Sequence, residues 1–100
     1  MPEPIEIPAG SKEYVEGIID ADDGTTLDMT VELSLTPTTG PQAGTHTWLT
    51  AAWVGAPSSR RLARTTAKVT HAAGQYRVHA GLGGAGDRMI LASENTVTVT

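Results

Sequence analysis

One hundred residues, 39% of them hydrophobic, suffice for one core and leave no room for a second, so a single domain spanning residues 1–100 is expected. The absence of cysteine excludes disulfides, thiolate metal sites and thiol redox chemistry, and the formal charge of −4 argues against a general nucleic-acid binder, whose affinity comes from neutralising phosphates. Met1-Pro2-Glu3-Pro4-Ile5-Glu6 has neither the basic start nor the apolar run of a signal peptide, and no stretch approaches the ~20 apolar residues of a membrane span.

In chain order, Ile5–Ile7 reads as a short edge strand, fenced by Pro4 and Pro8, which cannot donate to a central ladder. Glu13–Ile19 reads as a second strand, with Asp20-Ala21-Asp22-Asp23-Gly24 as the turn beyond it. The clearest signal follows. Leu27, Met29, Val31, Leu33 and Leu35 alternate with Asp28, Thr30, Glu32 and Ser34, which is the period of a strand with one dry and one wet face. Glu32 is therefore expected on the wet face and Leu33 in the core. His46–Val54 carries both tryptophans, and Leu62–Thr70 is a less sharply patterned strand. Ser58–Lys68 also admits a helical patch, disfavoured by Thr65-Thr66. Gln75–Leu82 alternates again, and Met89–Ala92 and Asn95–Thr100 close the chain. The expected fold is all-β, with about seven antiparallel strands at the spacing of a sandwich. Its fifteen threonines suit the wet faces of such strands.

Several constellations invite a chemical reading and fail their context. Gly81-Leu82-Gly83-Gly84-Ala85-Gly86 matches the glycine spacing of a dinucleotide loop, but the residues after it read as strand where a helix N-terminus is needed, so a hairpin loop is expected. Asp20, Asp22 and Asp23 lack the alternation and the closing glutamate of a calcium loop and are expected to form a polar turn. His46, His71 and His79 fall on separate elements without metal-ligand spacing, and are expected at the solvent or an interface. No catalytic residue, metal site or cofactor is expected, and the chain is not read as an enzyme. Arg60, Arg61 and Arg64 form the densest basic cluster, suited to a carboxylate-rich partner because guanidinium forks carboxylates. Trp48 and Trp53 lie five positions apart, so along one strand they point to opposite faces. One belongs in the core and the other must be covered.

The order of elements resembles an immunoglobulin-like sandwich. The alternating strand from Leu27 takes the place of its second strand, Trp53 that of its core tryptophan, and Gly74-Gln75-Tyr76-Arg77-Val78 the start of its sixth strand, where a tyrosine caps the corner between sheets. Trp53 is accordingly expected in the core and Trp48 at the outer face or rim. The missing cysteines set it apart from antibody-type domains. Ile7 to Ser11, Trp48 to Gly55, Ala63 to Thr65 and Gly74 to Val78 together are similar to small structural proteins of tailed actinobacterial phages. That resemblance implies a virion protein, made in the host cytoplasm and docked on the head as a decoration or accessory protein, with Arg60, Arg61, Arg64 and Trp48 as candidate contacts. Its implied partners are other virion proteins, the major capsid protein or tail and neck proteins, and copies of itself within the assembly, with neither nucleic acid nor membrane. A tail, neck or baseplate position is the alternative, and a carbohydrate- or ligand-binding module is the alternative of another class.

Overall fold

A computed structural model of the chain describes residues 5–84 and 88–100. These form seven strands and no helix: β1 (Ile5–Ile7), β2 (Glu16–Asp20), β3 (Val31–Pro37), β4 (Leu49–Val54), β5 (Arg60–Thr65), β6 (Gly74–Leu82) and β7 (Met89–Val99). They hydrogen-bond in the order β1-β7-β6-β3-β4-β5-β2. All neighbours are antiparallel except β1 and β7, which run parallel with Ile5 beside Val97 and Ile7 beside Val99, so the expectation of purely antiparallel strands is corrected there.

The ladder turns over on itself at β4. Leu49 and Thr50 pair with β3, while Ala51 to Val54 pair with β5, so one strand serves two layers. This brings β2, at the far end of the ladder, face to face with β6 and β7. The approach is close enough to require a glycine: a Cβ at Gly17 would lie 2.9 Å from Val78 Cγ1 and 3.1 Å from Ser93 Cβ. Between the layers lie Ile19 and Ala63 from one side and Val31, Leu33, Leu35, Val78, Ala80, Val97 and Val99 from the other, all buried. Trp53 packs against this core and donates its indole N–H to Met29 O at 2.7 Å.

Several boundaries differ from the expected ones for identifiable reasons. The in–out alternation does begin at Leu27, which is buried, but the ladder begins only at Val31. Residues 27–30 are extended and tied by other groups: Leu27 N–H to Ser58 O, Gly83 N–H to Thr30 O, and the Trp53 bond to Met29. Glu13 makes a single bridge to Val69, and the strand proper runs from Glu16 and takes in Asp20, which the sequence assigns to the turn. The strand expected over Leu62–Thr70 starts at Arg60 and stops at Thr65. The two closing segments are one strand, β7, with a bulge: Arg77 faces Thr96 and His79 faces Ala92, so β7 spends two extra residues there.

The glycine run ends β6 and enters the β6–β7 hairpin, with Gly83 and Gly84 at φ of +90° and +86°, and a strand follows where a dinucleotide loop would need a helix. Residues Ala85 and Gly86 of that motif lie outside the described residues. The aspartate segment turns as expected, with Gly24 N–H on Ala21 O and Thr25 N–H on Asp23 Oδ1. Tyr76 starts β6 by donating its hydroxyl to Ala72 O at 2.8 Å.

Candidate functional site

The outer faces of β3 and β6 carry the polar half of their alternation: Glu32, Ser34 and Thr36 on β3, opposite Gly81, His79 and Arg77 on β6. Such a face is ordinarily wet, yet Ser34 and Thr36 are buried. Residues 45–48, of which His46 to Trp48 are expected in a strand, instead cross this face as an irregular segment and cover it. Thr47 N–H donates to Ser34 Oγ at 2.9 Å, Ser34 Oγ lies 3.0 Å from Thr36 Oγ1, and Thr36 Oγ1 lies 2.8 Å from His46 Nδ1. Every partner is satisfied when the hydroxyls donate in that order, leaving His46 Nδ1 as the acceptor.

Beside this network stands a stack that no short motif announces. Arg88 lies across Gly81, where a Cβ would fall 2.5 Å from its Cδ, and its guanidinium sits 4.6 Å from the Trp48 ring centroid. The same guanidinium bonds Glu32 Oε1 at 2.7 Å, across 56 positions of sequence. His46 stacks on Trp48 at 5.1 Å and meets His79 edge-on at 4.9 Å. All three histidines are half-buried; His71 packs apart from the others, against Tyr76. Trp48 is on the outer side as expected, but its ring is already engaged by Arg88 and His46. The absence of a Cβ at Gly81 is what admits the arginine, and a hairpin glycine gives no hint in sequence of that second role.

Burial holds the His79 imidazole below its ordinary value, reinforced by the charges of His46 and Arg77, with a backbone hydrogen bond at Arg77 partly opposing; burial alone does the same at His71. The folded state thus favours neutral rings, and the unfolded chain, with an ordinary value of 6.5, binds the proton first as pH falls. The stability these residues contribute is fully present above about pH 7 and is lost as pH drops through the unfolded value towards the lower folded ones. Thermal melts should be level from pH 8 to 7 and decline below it, and His79→Gln should flatten that decline. An unchanged decline in the variant would assign it to other groups.

The basic cluster is divided by the two-residue period of β5. Arg60 and Arg64 point outward, Arg60 opposite Asp20 and Arg64 opposite Glu16 in the register with β2. Arg64 bonds Glu16 Oε2 at 3.2 Å and shares the Tyr14 ring with Lys68. Arg61 turns inward with Ala63 and Thr65. Its side chain is 10% exposed, donates to Leu27 O at 2.7 Å and to Gly55 O, and lies 5.5 Å from the Trp53 ring, with Asp28 beyond. It is a structural cation holding two loop carbonyls, and the three arginines do not form one contact.

A cleft of about 500 Å³ opens at one end of the molecule, where the chain between β2 and β3 meets the β6–β7 hairpin. Leu27, Met29, Leu82, Met89 and Leu91 line its floor and wall, and Asp20, Asp22 and Asp23 line its rim. A smaller cavity of about 290 Å³ lies between Leu35, Leu49, His71 and Tyr76. Among the described residues no three His, Asp or Glu side chains converge as metal ligands do. Comparison with protein-family models, with curated proteins and with solved structures finds no match for the chain.

Proposed function

We propose that this domain is an immunoglobulin-like sandwich that serves as a non-enzymatic structural component of a tailed-phage particle, docked on the head as a small decoration protein. The observation that carries the reading is the ladder order. Strands β1-β7-β6-β3-β4 form one run and β4-β5-β2 the other, with a tyrosine hydroxyl bonded to backbone four residues upstream where β6 begins. This supports the sandwich part of the reading. Two features depart from it: the alternating strand is third in the chain, not second, and Trp53 falls on the fourth strand, with leucines filling the core of the third. Docking is favoured over sugar binding by the aromatic residues. Trp48 and Trp53 lie on opposite faces, each engaged by an arginine, and do not form an exposed cluster.

Under this reading the partners are virion proteins, with the major capsid protein first, and the outer face bearing Arg60 and Arg64 supplies charge complementarity. The test is mass spectrometry of purified virions, with copy number measured against the major capsid protein. Many copies per particle are expected. A few would place the chain in neck, tail or baseplate, and absence would overturn the reading. Arg60→Gln with Arg64→Gln should reduce incorporation while the domain still melts cooperatively; glutamine is chosen because glutamate at these positions would face Asp20 and Glu16 across the β2–β5 ladder. Arg61 is left intact because its guanidinium holds the fold.

A further inference from the structure

The end cleft is apolar along its length and acidic at its lip. Aliphatic and thioether side chains supply the lining, and Met89 at the edge remains 62% exposed. Neither Asp22 nor Asp23 has an ion-pair partner among the described residues, and the hydrogen bonds that Asp23 accepts from Thr25 hold its carboxyl below the usual range, so it is ionised at neutral pH. A volume of about 500 Å³ is within the usual ligand range, but enclosed ligand sites bury about 70–90% of what they hold. A trough open to solvent along Met89 covers only one side of its occupant. It suits a chain that lays one side chain into the trough and continues past both rims.

We propose that the cleft seats an apolar side chain of an extended partner segment carrying lysine or arginine two positions away from it, on the same face of the segment. This deepens the docking reading above, and rests on it, by naming the chemistry of the partner. The apolar side chain meets Met29, Leu82, Met89 and Leu91, and a cation two positions away meets Asp22 and Asp23, which lie together on the chain between β2 and β3. A second copy seated cleft to cleft would set its acidic rim against this one and does not fit.

The test is a titration of the full ¹⁵N-labelled chain, followed by amide chemical shifts, with capped heptapeptides Gly-Lys-Gly-Leu-Gly-Lys-Gly, Gly-Glu-Gly-Leu-Gly-Glu-Gly and Gly-Lys-Gly-Gly-Gly-Lys-Gly. Saturable shifts confined to the cleft residues are expected with the first peptide alone. Asp22→Asn with Asp23→Asn, which keeps the turn's acceptor, should weaken binding about three- to tenfold, the range of two exposed ion pairs. Met89→Asp, at an exposed position, should abolish it. The proposal is overturned by equal shifts with the acidic peptide, by no shift at millimolar concentration, or by binding of dodecyltrimethylammonium without binding of the peptide, which would make the cleft a small-amphiphile site. Failure here, with the chain found in virions, would leave the virion reading standing and move docking to the outer face of β5.

Discussion

Leu33→Ala should lower the unfolding free energy by about 2–5 kcal/mol, the range for removing a buried leucine from a core. Leu33 is fully buried in β3, the middle strand of the ladder, with β4 on one side and β6 on the other. Its loss leaves a void that neighbours on two layers would have to close together. Gln75→Ala, at an exposed position of β6, should stay within about 0.5 kcal/mol. Chemical denaturation of the two variants checks the pair, and equal costs would show that Leu33 does not sit at the centre of the packing. Glu32, the neighbour that the period-two pattern places on a wet face, is not a neutral control. It pairs with Arg88 beneath Trp48, and its removal leaves a half-buried guanidinium without its carboxylate.

Gly17→Val should be the most damaging change in β2. The backbone at Gly17 is ordinary strand, so the penalty is steric: the new Cβ alone would press on Val78 Cγ1 at 2.9 Å and on Ser93 Cβ at 3.1 Å. Overpacking of this kind costs about 1–3 kcal/mol for a methyl group, and a valine adds two more carbons. Shrinking the opposing residue should relieve it. In a double-mutant cycle, Gly17→Ala with Val78→Ala should cost less than the sum of the single changes, with a coupling of about 0.5–3 kcal/mol. Strict additivity would show that the two layers do not meet at this point.

The hydrophobic period made most of the fold legible. Leu33 and Leu35 on one face, and Val78 and Ala80 on another strand, fall inside as their alternation predicts, because a one-residue slip would expose every one of them. Strand ends were less legible, since Leu27 to Thr30 keep the alternation while bonding to loops and to an indole. The inward turn of Arg61 was written in the same period: position 61 shares a face with 63 and 65, and a triplet read as one patch overlooks it. The Trp48–Arg88–Glu32 stack was not legible at all. Its members come from three elements, and the pairing follows only once β3, β6 and the crossing segment at residues 45–48 are assembled.

The parallel pairing of β1 with β7 has a mechanical consequence. The chain enters this clasp beside Val97 and leaves it beyond Val99, where Thr100 N–H bonds Ile7 O and Ala9 N–H bonds Thr100 O. Tension applied to the segments flanking the two strands would slide one along the other, loading these bonds at once and in shear. An antiparallel clasp pulled from its open end would give way one bond after another, like a zip. The fold therefore meets a stretching force with its first and last strands as a single latch, and yields only when the whole latch slips.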